Sequence, residues 1–429
     1  MSTRAHLPQT ADAVIIGGGI IGCFTAYHLA LAGLDVVVCE KGWVGCEQSS
    51  RNWGLIRKQG RHPAEIPLII RSLELWHEFV TRIDHDIGFR VNGTLYLSDT
   101  EKRYEANRKW LEHAKEFGLD SKILSVQELQ TVTPGIQKQT RDALFTPSDA
   151  SAEPHLAIRA LGQLTVKEGG QILEQCAVRR VDIEAGRVAG VITEHGRIRA
   201  PVVVCCGGAW SRYICRQFGI RLPQLKVISS VMQSQPIDHA VGPSLWSQGI
   251  GLRKRPDGSY IIAPAGNADC PITPDFFRFA QSYLPTYRTS KELVKLQLTR
   301  RFFTELSWPN IPSPNHRSPF EHERVLDPKP NYASLKQAQS RLGYLFPELA
   351  NIKISRIWAG MIDVMPDELP VIDECHPVPG LIISTGFSGH GFGIGPGAGL
   401  ATADLVLGKS DSSSLISGLR LGRLNFLHT

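Results

Sequence analysis

Apolar positions along this chain follow two rhythms, continuous short runs and helical stripes. Ala13-Val14-Ile15-Ile16 and Val36-Val37-Val38-Cys39 read as buried strands, with helix-like Cys23 to Ala32 between them. A polar, irregular stretch from Gly42 to His62 leads to a helix from Pro63 to about Asp84, where Ile66, Ile69, Ile70, Leu73, Leu75 and Trp76 recur at near-helical spacing. Phe89 to Leu97 alternates as a strand does, Asp99 is placed to cap a charged helix running to Phe117, and Ser125 to cap another. A helix from about Glu153 to Glu168 precedes strand Gln171 to Leu173, an apparent hairpin of Ala177 to Ile183 and Arg187 to Thr193, and the strand Pro201 to Cys206. About Leu222 to Pro264 is strand-rich, and a helical, proline-punctuated segment follows to about Phe346. Strand Leu381 to Thr385 then enters a glycine-rich run, Gly386 to Gly399, ahead of helix-like Leu400 to Leu407.

The junctions between these elements carry the chemistry. The first strand breaks into Gly17-Gly18-Gly19-Ile20-Ile21-Gly22, and the second ends on Glu40, eighteen residues past Gly22. Gly17 suits a sharp strand-to-helix turn, Gly19 lets a pyrophosphate approach the backbone, and Gly22 lets the helix lie close on the sheet. Phosphates at a helix N-terminus meet unpaired backbone N–H groups and the positive end of the helix dipole. Glu40 is spaced to grip an adenosine ribose. The pattern therefore predicts a bound ADP-type cofactor.

The chain has 429 residues, which favours two interleaved domains. One nucleotide domain is expected from three separated pieces, residues 10–85, 150–220 and 350–420, and a substrate domain without a nucleotide motif from 86–149 and 221–349. With 42% hydrophobic and 21% charged residues and no apolar stretch near 20 residues long, no transmembrane segment is expected. Met1 to Thr10 reads as a short frayed tail without a secretory h-region, and nine scattered cysteines fit a reducing, cytoplasmic setting. The net charge of +6 is modest and its basic residues dispersed, so no nucleic-acid partner is expected.

The pattern resembles the FAD-dependent amine oxidoreductases related to D-amino-acid oxidase, glycine oxidase and sarcosine oxidase. The resemblance covers nearly the whole chain. It rests on Gly17 to Gly22 with Glu40, on Gly207-Gly208-Ala209-Trp210-Ser211, on Trp358-Ala359-Gly360, and above all on Thr385-Gly386-Phe387-Ser388-Gly389-His390-Gly391-Phe392. Glu47 to Gly54 looks most like bacterial branches acting on opines, hydroxyproline and similar secondary amines. The implied fold is α/β, a Rossmann-like FAD-binding domain of glutathione-reductase type interleaved with a mixed-sheet α+β substrate domain.

The resemblance assigns cofactor contacts to Gly17, Gly19, Ile20, Ile21, Gly22, Glu40 and Lys41, to Ser49, Ser50 and Arg51 beneath the pyrophosphate and ring, and to Asn52 and Trp53. It adds Val178 near the adenine, then Gly207, Gly208, Trp210 and Gly360. The last group is Gly389, His390, Gly391, Phe392, Gly393 and Ile394, where a second helix end is expected to face the flavin. Arg57 lines up with an arginine that binds substrate carboxylate, a role suited to a planar guanidinium fork. His390 is the second catalytic candidate, against the alternative that its Gly-His-Gly turn only shapes the loop. His62 and Trp53 border the expected pocket, and Asp363 and Asp367 read better as caps or turn formers than as bases.

Aligning Asp367-Glu368 and Ile372-Asp373 with the sarcosine oxidase pattern reveals three departures. Gly360 stands where that enzyme has its flavin-linking cysteine, Ile362 replaces an active-site tyrosine, and Gly393 replaces a lysine of the carboxylate clamp. Non-covalent FAD follows. The implied activity is oxidation of a CH–NH or CH–NH2 group of an amino acid or secondary amine, by hydride transfer from Cα–H to flavin N5, with imine hydrolysis and reoxidation by O2 or another acceptor. The alternatives are an FAD subunit that needs partner subunits, and a flavin monooxygenase. The latter usually has a Gly-Asp pair where this chain reads Ser388-Gly389-His390-Gly391.

Overall fold

The computed structural model describes residues 7–137, 140–238, 242–266, 268–290 and 294–428. Residues 1–6 of the expected N-terminal tail lie outside that set, whereas Thr10 bridges to Arg199 rather than fraying.

Strand Ala13–Ile16 lies inside a six-stranded sheet, parallel to Val36–Cys39 on one side and Val202–Cys205 on the other. Gln171–Leu173 and Leu381–Thr385 extend the parallel array, and Val371–Glu374 closes one edge antiparallel. The near-continuous apolar runs are what a sheet covered on both faces requires. Ala13, Ile15, Val36 and Val38 pack against helices Ile20–Leu31, Ile66–Thr81, Pro154–Lys167 and Gly391–Val406. The alternate residues Val14, Ile16, Val37 and Cys39 meet a three-stranded antiparallel sheet, Val178–Glu184, Arg187–Thr193 and Gly196–Arg199, the expected hairpin plus one further strand.

A ten-stranded mixed sheet forms the second layer system, and helix Tyr332–Leu345 shares its core. Ile354–Val364, expected with the nucleotide pieces, is instead hydrogen-bonded antiparallel to Leu225–Ser234 in this sheet, with Gly360 opposite Ser229.

Local differences have local causes. The strand expected over Phe89 to Leu97 breaks at Gly93, φ +73°, into Arg90–Val91 and Thr94–Leu97, which join different sheets. Helix Glu101–Glu116 is capped by Thr100, because the Asp99 carboxylate accepts from Ser247 Oγ at 2.6 Å and Gln248 N at 2.7 Å. Ser125 caps as expected, in a capping box with Glu128.

The largest difference is at the C-terminal glycines, where the helix starts at Gly391 and runs through to Val406. A Cβ at Gly395 would stand 3.0 Å from Ile20 Cγ1, at Gly397 2.5 Å from Ser72 Oγ and at Gly399 2.4 Å from Phe24 Cβ. Close packing of three helices outweighs the cost of about 1 kcal/mol that a helical glycine carries relative to alanine. Pro396 interrupts the internal hydrogen bonds, and a neighbouring helix replaces them. Ser72 Oγ accepts from Gly397 N at 2.9 Å and donates to Ile394 O at 2.9 Å, and Trp76 Nε1 donates to Gly393 O at 3.0 Å.

Candidate active site

Two adjoining cavities follow from this architecture. The first opens at the C-terminal ends of Ala13–Ile16 and Val36–Cys39. Gly17 adopts φ +109°, and a Cβ there would meet Cys206 O at 2.5 Å; at Gly22 it would meet Gly17 O at 2.1 Å. Gly19 is the N-cap of Ile20–Leu31, and the Ile20 N–H donates to Ser49 Oγ at 2.9 Å. Glu40, buried, accepts from Gly18 N at 2.7 Å and Gly42 N at 2.7 Å, so two backbone amides hold its carboxyl at the cleft wall. Burial pushes that carboxyl up, opposed by the same two amides.

The second cavity, about 640 Å³, lies between the first cleft and the ten-stranded sheet. Gln48, Asn52, Gly389 and Phe392 line both. Gln48 Oε1 is buried without a hydrogen-bond partner, and a Cβ on Gly360 would lie 2.2 Å from it. Gly389, Gly391 and Phe392 bring the N-terminus of the glycine-rich helix to the same junction.

Arg57 and Arg61 line the second cavity, 9% and 3% exposed, and no carboxylate among the described residues pairs with either. Arg57 stacks against aromatic rings, its guanidinium carbon 5.7 Å from the Tyr96 centroid and 5.9 Å from that of Trp246. Arg61 Nε donates to Arg57 O at 3.1 Å, while its Nη1 is buried and unpartnered. Burial, then the Arg57 charge, lower Arg61 to about 10, so it remains cationic at neutral pH. His390 also lines this cavity, with Nδ1 3.1 Å from Oε2 of the fully buried Glu65. Burial and then the Arg61 charge hold the imidazole down to about 4.

A family model described as FAD dependent oxidoreductase, DAO, matches residues 12–405. This chain belongs to the DAO family of FAD-dependent oxidoreductases. The solved L-amino acid deaminase from Proteus myxofaciens, in complex with anthranilate, is similar at 30% identity and a TM-score of 0.93, over 99% of this chain and 95% of that one. The sarcosine oxidase subunit beta of Arthrobacter sp is 24% identical over 93% of this chain and 87% of its own length. Mitochondrial sarcosine dehydrogenase of Mus musculus is 29% identical over 54% of this chain, which spans only 26% of that relative's length.

The first cleft fits the FAD of this family. Its cradle at Gly19 has no side chain, the first residues of Ile20–Leu31 line it, Glu40 stands in its wall, and the unpartnered Gln48 oxygen lies where it meets the second cavity. Among residues assigned from sequence, Gly17, Gly19, Ile20, Ile21, Glu40 and Lys41 line it. So do Ser49, Asn52, Val178, Gly207, Gly208 and Trp210, and at the far end Gly389, Gly391 and Phe392. Arg51, Trp53 and His390 face the second cavity instead. Gly22, Ser50, Gly360, Gly393 and Ile394 line neither. Gly22 lies against the Gly17 backbone and Gly360 against the Gln48 side chain, Ser50 Oγ donates to Glu47 O at 3.3 Å, and Gly393 and Ile394 are buried in the helix packing.

Lys41, on the first cleft, and Arg51, on the second cavity, are already engaged. Lys41 Nζ lies 2.6 Å from Glu47 Oε1, donates to Arg324 O at 2.7 Å and sits 4.6 Å from the Trp210 ring centroid. Arg51 Nη1 pairs with Asp327 at 2.6 Å. Asp363, read from sequence as a cap or turn former, lies in the cleft wall and accepts from Gly386 N at 3.0 Å and Gln224 Nε2 at 2.9 Å. Sequence reasoning missed Gln48, Arg61 and Glu65. Gln48 and Arg61 lie in the polar, irregular stretch and Glu65 at the start of the expected helix, and only burial distinguishes the last two.

Proposed function

We propose that this chain oxidises the carbon–nitrogen bond of an amino acid or secondary amine bearing a carboxylate. The observation that carries the reading is the buried guanidinium of Arg57 on the wall of a cavity that opens onto the FAD cleft. Bound non-covalently, FAD supplies a two-electron acceptor for the C–H bond beside the nitrogen. The protein's part is largely positional: Arg57 holds the carboxylate, and the paired rings of Trp53 and Trp246, centroids 5.0 Å apart, form an apolar wall. Neutral His390 turns its Nδ1 to Glu65 at the cavity wall and adds no charge there, and the substrate reacts as the unprotonated amine, whose lone pair assists hydride departure without a strong protein base. The imine then takes up water to give a keto acid and an amine or ammonia. Oxygen or another acceptor takes the electrons onward.

A second reading, an FAD subunit working with partner subunits, is favoured by the match to a sarcosine oxidase subunit beta over 93% of this chain. One experiment addresses both. The purified chain, loaded with FAD, is mixed without oxygen with amino acids, N-alkyl amino acids and their decarboxylated counterparts. Bleaching by carboxylate-bearing amines alone is the expected result. Bleaching by both sets, or by neither, overturns the reading. Peroxide formed on aeration marks an oxidase, and bleaching without turnover in air marks a dehydrogenase needing another acceptor.

A further inference from the structure

We propose that Arg61 is the second arm of the substrate-carboxylate receptor, occupying the space from which a lysine at position 393 would otherwise reach. The proposal rests on the reading of Arg57 as the first arm and deepens it. Where the sarcosine oxidase pattern has a lysine, this chain has Gly393 in the first turn of the glycine-rich helix. A Cβ built on Gly393 would lie 3.5 Å from Arg61 Nη2, and also 3.1 Å from Leu55 O and 3.3 Å from Ile56 Cα. The wall that would carry the lysine is therefore pressed against backbone, and a cation enters the same space from the opposite side.

Arg61 has the marks of a group awaiting a ligand. It is 3% exposed, lines the cavity, and has a buried Nη1 without a partner. Burying a guanidinium unpaired is costly, so its retention calls for a counter-charge that arrives with the substrate. Lys58 and Asp149, 3.9 Å apart, serve each other, and His390 is neutral at neutral pH. Arg57 and Arg61 share one buried carboxylate, Glu65, whose field reaches both. Glu368 also lines the cavity, its carboxyl pushed up by burial and by the Glu65 charge, and among the described residues it pairs with neither arginine, which leaves Arg61 Nη1 for a substrate carboxylate. Two planar forks meeting one carboxylate also fix its plane, which a lysine point charge does not.

The test measures anthranilate binding to the FAD-loaded protein by perturbation of the flavin spectrum, with aniline as the carboxylate-free control. Arg61→Met is expected to weaken anthranilate by about ten- to hundredfold while leaving aniline within about twofold and FAD content unchanged. Arg61→Lys, which keeps charge without the fork, is expected to fall between. Wild-type anthranilate affinity in Arg61→Met overturns the proposal, and so does an equal loss of anthranilate and aniline, which marks a scaffold role through the Arg61 Nε bond to Arg57 O. Should Arg61→Met fail to fold, Arg61→Lys and Arg61→Gln carry the comparison: better anthranilate retention by the lysine variant supports the proposal, and equal affinities overturn it. Arg57→Met separates the two levels. If Arg57→Met loses anthranilate and Arg61→Met does not, only the second arm fails; if neither variant separates anthranilate from aniline, the carboxylate reading itself fails.

Discussion

Glu65 and His390 stand 325 positions apart in sequence and meet behind the substrate cavity with Oε2 3.1 Å from Nδ1. Burial opposes both charges, yet their outcomes differ. At Glu65 burial is outweighed by the His390 charge and hydrogen bond and by Arg61 and Arg57, which together hold the carboxyl at about 2. At His390 burial and the Arg61 charge win, and the imidazole is neutral above about pH 4. The pair is thus a carboxylate and a neutral imidazole at neutral pH, becoming an ion pair only in acid.

Both folded-state values lie below the ordinary ones, so each group's contribution is present above its unfolded pKa and lost as pH falls. For His390 the window runs from 6.5 down to about 4. Replacing it with Asn is expected to remove up to about 3 kcal/mol of that acid sensitivity. Denaturant midpoints for wild type and His390→Asn, taken across this window, check it; parallel decline of the two proteins contradicts it. Glu65→Gln is expected to destabilise at neutral pH by roughly 3 kcal/mol or more, because two buried guanidinium groups lose their shared counter-charge.

Arg57 is expected to act mainly on substrate binding. Arg57→Lys keeps the charge but loses the two-pronged geometry, so kcat/KM for a carboxylate-bearing amine falls by about ten- to hundredfold, chiefly through KM. Steady-state kinetics with the substrate that bleaches the flavin best measures this split.

Gly22→Ala is expected to cost FAD. Its Cβ would stand 2.1 Å from Gly17 O, forcing the helix off the turn that shapes the phosphate cradle. A loss of about 1–3 kcal/mol of stability should accompany a lower flavin-to-protein absorbance ratio. Gly422→Ala, where nothing lies within 4 Å, serves as the control and should leave both unchanged.

Ser72→Ala is expected to destabilise by about 2 kcal/mol or more, since it strands Gly397 N and Ile394 O beside Pro396 in a buried helix. Thermal unfolding measures it. A variant as stable as wild type would show that those two groups find other partners.

The strands of the parallel sheet were legible because burial on both faces leaves an unbroken apolar run, as at Val36–Cys39. The glycine-rich helix was only half legible. Its first turns look like a loop because local propensity disfavours Gly391 to Gly399 in a helix, and the contacts that reverse this come from Ile20, Phe24 and Ser72. Asp99 lost its cap role to Thr100 for a similar reason, a partner in a distant strand. At the site, glycines announced themselves because a missing side chain at fixed spacing is a local signal. Arg61 and Glu65 had none.

Spacing along the chain was enough to determine the cofactor class, the family and the parallel core, since strand runs, a phosphate turn and an acid at set distance are properties of neighbouring residues. Which charges are buried, which of them lack partners, and which imidazole stays neutral were decided by tertiary structure alone. Desolvation and Coulomb energy depend on distance through space, and the chain brings Arg57, Arg61, Glu65 and His390 together only when the C-terminal helix docks on the first.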